Sequence, residues 1–345
     1  MRASSLLYSW VVRPLSSGLL GATALLLGAG CTGPVEGGYA GDSEAPKLDG
    51  VHAETAQVHA YLSVDRSREQ TGTERITKEV ASASFLRTRD GSDPTVVARL
   101  VGVMPDLPAA GACAVLDDSQ APSSVPLRTL SPVEMVHVGE VSLGNGHEGG
   151  GVQLVPRAYP DVAHLLSGVV YTSSGAEGLQ DREKAHFRVS GAGDVPGFEI
   201  DLPMPRAIEA LWVNDVLVGG EAAEVPQGSG GGVLEVRWAG DAEGTDAASA
   251  KSEITFVDAV IENASGPMTK LRCATHDASV VLAGVRPEAG LTVSLAVHRL
   301  RTVVVSGTPV AAGPAIELAG MPAGMVGEVR LDAALMGRAQ IVDPG

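Results

Sequence analysis

A period of two in hydrophobicity, repeated in short runs along the chain, is the feature that most limits the folds open to this sequence. In "LTVSLAVHR", every second residue from Leu291 to Val297 is Leu or Val. The run "QVHAYLSVD", at residues 57–65, alternates in the same way. Successive side chains of a strand point to opposite faces, so this pattern predicts strands that bury one face.

Turn-forming segments such as "RDGSDP" and "GNGHEGGG" separate these runs, and the chain holds 43 glycines and 21 prolines. Further strands are predicted over residues 81–87, 95–103, 112–116, 133–138, 140–143, 152–155, 166–172, 185–189, 197–202, 234–238, 254–256, 271–275 and 329–333. We find no long amphipathic helical period with a cap at each end. Many short strands with turns between them predict an all-β fold, namely two antiparallel β-sandwiches in tandem.

The domain boundary is expected where strand pairing should stop, at the two prolines of "LPMPRA". We therefore predict a first sandwich over residues 55–203 and a second over residues 204–345. Residues 31–54 are rich in Gly, Pro and acidic residues without periodicity, which predicts a flexible stalk. Residues 1–30 precede it as a predicted signal peptide.

The N-terminal segment has the layout of a secretory signal peptide. Arg2 and Arg13 supply positive charge, and the run from Leu15 to Ala29 is uncharged and mostly apolar. The run is shorter than the ~20 residues that a transmembrane helix needs. The sequence therefore predicts export of the chain.

The residues Gly-Ala-Gly-Cys at 28–31 resemble a bacterial lipobox, in which the cysteine thiol is lipidated and becomes the mature N-terminus. Gly28 stands where such motifs usually carry Leu, and the alternative is ordinary secretion with cleavage near Ala29. Two or more acyl chains hold a protein stably on a bilayer. The expected partner is thus a lipid bilayer, bound through acylated Cys31. Because Thr32 is not an aspartate, the resemblance implies the outer membrane, with a secreted or periplasmic protein as the alternative.

The charge of the chain argues against nucleic acid as a partner. Its formal net charge is −16, and an acidic surface repels phosphate backbones. The sequence also predicts no cofactor.

Two cysteines remain if Cys31 is lipidated. The exported compartment is oxidising, which favours a disulfide between Cys113 and Cys273. Both cysteines also lie on apolar faces of predicted strands, where a buried thiol behaves as a small hydrophobic residue. The sequence leaves both alternatives open.

Three segments bear a partial likeness to catalytic or metal-binding motifs. "PQGSGGG" at 226–232 surrounds Ser229 but lacks the helix of a nucleophile elbow and the lysine of a phosphate loop. His147 and Glu148 lack the second histidine of a zinc protease, and "DGSDP" lacks the spacing of a calcium loop. We predict no catalytic residue and no metal site.

Two tryptophans are candidates for stacking against a sugar ring. Trp238 alternates with Glu235 and Arg237, as a core residue would, which favours a core role for it. Trp212 is the other candidate. The loops 144–151 and 241–251 are candidate binding loops, with passive connections as the alternative.

These features resemble a group of uncharacterised lipoproteins from high-GC Gram-negative bacteria with tandem immunoglobulin-like β-sandwich domains. The resemblance is carried by the lipobox ending at Cys31, by "LEVRW" at 234–238 and by "LRCATHD" at 271–277. "LSGVVYTS" and "GDVPGFEI" add to it in the first half. The resemblance implies a fold and a location but no catalytic residue. With one cysteine in each predicted domain, the bridge between the two sheets of an immunoglobulin domain is missing.

The sequence thus predicts a membrane-anchored lipoprotein that faces the surface or the periplasm. Its expected role in the cell envelope is non-enzymatic binding or structure, with an envelope protein or polysaccharide as partner. One alternative is a hydrolase of envelope polymers with loop-borne carboxylates. Another is an assembly partner that lends a strand edge to a second protein.

Overall fold

The computed structural model describes ten stretches of the chain, which are residues 57–72, 74–88, 105–116, 133–144, 151–162, 166–173, 183–240, 253–263, 268–306 and 321–344. They belong to one unit that runs from Ala53 to Gly345. The predicted signal peptide, Cys31, the stalk, the strand at 95–103 and most of both candidate binding loops lie outside the described residues. So do "DGSDP", His147 and Glu148.

Strand is the only regular secondary structure in these stretches, and the predicted all-β fold class is confirmed. The finer assignment to tandem immunoglobulin-like sandwiches stays a prediction. The described part of the chain contains no helix long and apolar enough to cross a membrane.

Within the described stretches, nine strands precede residue 204. They are β1 (Val58–Thr71), β2 (Glu74–Thr88), β3 (Cys113–Val115), β4 (Val133–Met135), β5 (Val141–Gly144), β6 (Val152–Val162), β7 (Leu166–Thr172), β8 (Lys184–Ala192) and β9 (Val195–Pro203).

Nine more strands follow. They are β10 (Ala210–Val213), β11 (Val216–Val218), β12 (Ala222–Pro226), β13 (Glu235–Ala239), β14 (Glu253–Glu262), β15 (Thr269–Thr275), β16 (Ser279–Val281), β17 (Thr292–Ser306) and β18 (Met325–Val342).

Most strands join one large mixed sheet in the order β3-β15-β14-β17-β18-β1-β2-β4-β7-β6-β5-β8-β9. The pair β1–β18 is parallel and aligns Val58 with Met325, whereas β17 and β18 are antiparallel. Strand β12 continues beside β18 where β1 ends. A second sheet has the order β11-β10-β13-β16 and packs against the large one through shared core residues.

The described residues form two large hydrophobic cores, one mostly from each half of the chain. The first core is built mostly from β1, β2, β5, β8 and β9, with Phe85, Tyr171 and Phe187 among its largest side chains. The second is built from β10, β13, β14, β15 and β17, with Trp238 among its members. Strands β17 and β18 contribute residues to both cores. Strand pairing crosses the boundary predicted at 203/204, and at this connection the chain passes from the first core at Met204 to the second at Ile208. The two-domain division stays a prediction.

Buried charge separates the two cores on the inner face of the large sheet. On β17, Arg299 and Arg301 lie between Val297 of the second core and Val303 of the first. We call the group consisting of Arg66, Glu79, Glu253, Arg299 and Arg301 the arginine belt.

The side chains of the belt pair with one another and also bind backbone carbonyls of the connection between the two halves. Arg66 pairs with Glu79 at 2.9 Å, and Arg301 pairs with Glu253. Arg301 also donates to the carbonyl of Pro203 at 2.8 Å. Arg299 donates to the carbonyls of Arg206 and Gly240 at 3.4 and 3.3 Å. The chain thus crosses from one core to the other with its carbonyls bound by buried arginines.

The longest strands extend beyond their predicted lengths. Strand β18 runs on well past the predicted 329–333 because both faces of its middle are covered, and Asp332, Ala333, Ala334 and Leu335 are buried in succession. Burial on both faces removes the period of two. The short strands β10, β11, β12 and β16 were not predicted.

Candidate functional site

A disulfide joins the two halves of the chain at the edge of the large sheet. Cys113 on β3 lies directly opposite Cys273 on β15 in an antiparallel pair, and their sulfur atoms are bonded at 2.03 Å. Of the two alternatives left open by the sequence, the structure shows the bridge. It closes a loop of 160 residues.

Residues 105–116, which we call the strap, lie along β15 and are held there by more than the disulfide. The amide of Gly111 donates to the carbonyl of Ala274 at 2.7 Å, and the amide of Leu116 donates to the carbonyl of Lys270 at 2.8 Å. Leu107 packs against a small apolar cluster that includes Phe256. The strap therefore covers the edge of β15 and reaches onto one face of the sheet.

On that outer face, charged side chains lie next to one another on neighbouring strands. We call Arg272, Asp258, His298, Asp332 and Asp65 the charged ladder; they lie on β15, β14, β17, β18 and β1 in that order. The register places all five on the same face. Most are largely covered, with side-chain exposures of 11–19% from Arg272 to Asp332.

The first rung is a two-pronged ion pair that also holds the strap. Arg272 donates from Nε and from a terminal nitrogen to the two carboxylate oxygens of Asp258, both at 2.7 Å. Its other terminal nitrogen donates to the carbonyl of Asp106 in the strap at 3.2 Å. Paired, parallel hydrogen bonds of this kind are among the strongest in proteins.

His298 occupies the centre of the ladder. Its Nδ1 lies 2.7 Å from Oδ2 of Asp332, and its Nε2 lies 4.0 Å from Oδ2 of Asp258. The imidazole stacks on Phe256 with 4.3 Å between ring centroids and an angle of 4° between planes. The ring is thus fixed from three sides.

The surroundings of His298 stabilise its protonated form. Burial lowers the pKa of His298, but the charge and hydrogen bond of Asp332 and the charge of Asp258 outweigh it, and the pKa is raised above its ordinary value. The positive charge of Arg272 opposes this rise. A protonated imidazole carries a donor on each nitrogen, which matches a carboxylate on each side.

Asp65 ends the ladder beside Arg330. The Nη2 atom of Arg330 lies 3.6 Å from Oδ1 of Asp65. Desolvation raises the pKa of Asp65 and the nearby charge of Asp332 adds to the rise, while Arg330 and His298 act in the opposite direction. The neighbouring carboxylates of Asp65 and Asp332 thus both lie near His298, and Asp65 also lies near Arg330.

This geometry suits a structural network better than acid–base catalysis. A general base needs an unprotonated nitrogen aimed at the proton that it removes. Both nitrogens of His298 face carboxylates instead. In the described stretches, no three His, Cys, Asp or Glu side chains gather closely enough to hold a metal ion.

The glycine-rich segment around Ser229 forms a hydrogen-bonded turn. The side-chain amide of Asn214 donates to the carbonyls of Ser229 and Val233 at 2.7 and 3.2 Å, and its oxygen accepts from the amide of Glu235 at 2.8 Å. A Cβ on Gly230 would approach the Asn214 side chain to 2.8 Å, which explains this glycine. Ser229 donates only to the carbonyl of Pro226.

The two tryptophans lie on opposite faces of the second sheet. Trp238 is 5% exposed and belongs to the second core, as its alternation indicates. Trp212 is partly exposed on the other face.

Sequence reasoning missed the charged ladder. The charged residues of β15 and β18 were assigned to a polar strand face, and the single His and Asp in "SLAVHRL" and "ITFVDAV" gave no separate signal. A comparison of the chain with models of protein families finds no match, and neither does a comparison with curated proteins.

Proposed function

We propose that this protein is a lipoprotein of the bacterial cell envelope, anchored through acylated Cys31, with a non-enzymatic binding or structural role there. The N-terminal segment supports export and the lipid anchor. The all-β body supports a role in which a stable sheet presents a surface to a partner.

The disulfide supports the exported location. Structural disulfides form and persist in oxidising compartments such as the bacterial periplasm and the cell surface, and are rare in the cytosol. The bond between Cys113 and Cys273 ties β3 to β15 across 160 residues of sequence. A fold that uses such a bond suits a chain that crosses the inner membrane before it folds.

The observation that carries the non-enzymatic role is the mutual pairing of the groups in the charged ladder. Asp258 binds Arg272, and His298 binds Asp332, so these four groups are paired across neighbouring strands, while Asp65 lies beside Arg330. Arg272 then binds the strap. The ladder residues lie on five strands, and Arg272 links them to the strap. Residue types that are common in catalytic sites thus have a structural role here.

Acylation is tested in a Gram-negative host that expresses the full chain and a Cys31→Ala variant, both labelled with radioactive palmitate. We expect label in the wild type but not in the variant, and the wild type in the outer-membrane fraction. The variant should leave the membrane fraction while its Cys113–Cys273 bond still forms, since Cys31 lies outside that pair.

Two results would contradict the proposal. One is wild-type protein without palmitate that fractionates with the cytosol. The other is full-length wild type with free thiols at Cys113 and Cys273, measured by alkylation and mass spectrometry without a reductant.

A further inference from the structure

The face of the second sheet that points away from the core carries a cluster that the proposed function does not yet use. Trp212 on β10 is the direct cross-strand partner of Leu217 on β11 and of Arg237 on β13. Asp215 lies in the turn between β10 and β11. We call these four residues the outer platform.

The outer platform is open to solvent. Leu217 is 61% exposed, and the side chains of Arg237 and Asp215 are 51% and 82% exposed. Trp212 is partly exposed between them. Alternate residues of the same strands, such as Leu211 and Val236, fill the second core. Leu217 and the exposed part of Trp212 are neighbours and together present apolar surface to solvent.

Charged groups hold the indole in place. The guanidinium carbon of Arg237 lies 5.5 Å from the centroid of the Trp212 ring, a cation–π contact. A terminal nitrogen of Arg237 lies 2.8 Å from Oδ1 of Asp215. The aromatic ring, the donor and the acceptor therefore lie side by side.

The backbone fixes the acceptor. Asn214 and Asp215 have φ angles of 45° and 68°, as a tight two-residue hairpin turn requires. The three hydrogen bonds of the Asn214 side chain anchor this turn to the segment 229–235. Asp215 thus has a defined position although it is exposed, which lowers the entropic cost of binding a ligand.

We propose that the outer platform binds a neutral glycan, with a sugar ring against the part of the Trp212 ring that Arg237 leaves exposed and its hydroxyls on Arg237 and Asp215. The proposal rests on the binding role proposed above and names the class of partner. One face of a sugar ring presents C–H groups, which complement the negative face of an aromatic ring. Neighbouring hydroxyls of the ring are both donors and acceptors, as are the two members of the Arg237–Asp215 pair taken together.

Charge selects a neutral glycan over an acidic one. Asp215 is accompanied by the exposed Glu235 on β13, so two acidic groups lie near Arg237 at this part of the sheet. The chain as a whole has a net charge of −16. A polyanion would meet repulsion both locally and at longer range.

The test is affinity electrophoresis of the full chain in gels that contain dextran, galactomannan or hydroxyethyl cellulose, with polygalacturonate as the acidic comparison. A polyoxyethylene detergent keeps the lipid-anchored protein in solution without adding a sugar head group. We expect at least one neutral polysaccharide to retard the wild type and polygalacturonate not to.

The variants locate the site. Trp212→Ala should weaken binding about tenfold or more, as truncation of a central aromatic contact does. Trp212→Tyr should keep part of the affinity, and Arg237→Gln, at a half-exposed position, should weaken binding without affecting the fold. The matched control is Val304→Ala, which truncates a 51% exposed apolar side chain on the large sheet and should bind like the wild type. Equal urea midpoints establish that the variants are folded.

Three results would overturn the proposal: no retardation by any of the neutral polysaccharides, equal retardation of Trp212→Ala, or retardation by polygalacturonate alone. Capture of an envelope protein through Trp212, with no glycan binding, would also overturn it in favour of a protein partner. Palmitate labelling and fractionation are read separately, so failure of the membrane anchor is distinguishable from failure of the glycan site.

Discussion

Strands β1, β14 and β17 carry charged residues on both faces, and the arginine belt and the charged ladder bury their charge differently. On the inner face, Arg299 and Arg301 of the arginine belt donate to backbone carbonyls of the connection between the two halves. On the outer face, the charged ladder pairs side chain with side chain, and its centre is a histidine. The same strands thus support two networks with different chemistry.

The two networks differ in how their charge responds to pH. Guanidinium groups stay charged at any physiological pH, so the belt provides a fixed seal between two apolar cores. A histidine side chain changes its charge near neutral pH, and the neighbours of His298 raise its pKa. The inner face should therefore determine how stable the sheet is, and the outer face how that stability depends on pH.

The largest effect is expected from breaking the belt. Glu79 is 2% exposed and faces Arg66 at 2.9 Å, so Glu79→Ala removes the carboxylate from a buried cation. Breaking a buried pair from one side costs about 3–5 kcal/mol. We expect urea unfolding to show a loss of that size. The loss should be the same at pH 6 and pH 8, because guanidinium groups stay charged throughout this range.

The matched control is Glu199→Ala, which removes the partner of Arg188 at 3.1 Å on an exposed face. An exposed pair contributes about 1 kcal/mol or less. A loss for Glu79→Ala no larger than for Glu199→Ala would mean that the belt does not seal the cores. A pH-dependent loss would remove the contrast with the ladder.

The sequence predicted the strands better than their partners, and the reason is physical. Alternation is local, so "LTVSLAVHR" identified β17 and the Leu271–Thr275 run identified β15. Which strands pair depends on contacts between distant segments, and the parallel pairing of β1 with β18 leaves no local mark. The lengths of β17 and β18 were underestimated because buried arginines and two covered faces interrupt the period.

The same limit applies to the site. Charged residues on the polar side of an alternating strand predict a solvated face, which is the usual case. Only the register shows that Asp258, His298 and Asp332 share one face and come together across 74 residues of sequence between positions 258 and 332. Cys113 and Cys273 could be named as candidates because only one pairing was open to them, but their facing register could not be predicted.

A smaller loss of stability is expected when the disulfide is removed. This change tests how the strap is held at the edge of the sheet, beside the charged ladder. Cys113→Ala combined with Cys273→Ala removes the bond without leaving a free thiol. A native disulfide typically contributes about 2–4 kcal/mol. We expect the urea midpoint of the double variant to fall accordingly, and hydrogen exchange to increase first at Gly111 and Leu116, whose amides pair with β15.

The control is the wild type treated with a reductant, which should reach the same midpoint as the double variant. The strap also keeps its contacts to Arg272 and Phe256 in the double variant. If exchange in the strap stays at the wild-type level, these contacts alone hold the strap, and the bond has no part in covering β15.

The smallest effect is the most specific one, the pH dependence of the ladder. The pKa of His298 is raised in the folded protein, so its stabilising contribution is complete below the ordinary histidine pKa of 6.5 and is lost as the pH rises through the folded value. His298→Gln should therefore cost about 1.5–3 kcal/mol at pH 5.5, the range for a hydrogen bond to a charged group, and less at pH 8.

His59 on β1 is the matched control because burial lowers its pKa. With His59→Gln, the wild type should lose stability relative to the variant as the pH falls below 6.5, the reverse of the His298 result. If the free energy of unfolding of both variants runs parallel to that of the wild type between pH 5.5 and 8, the outer face is as insensitive to pH as the arginine belt.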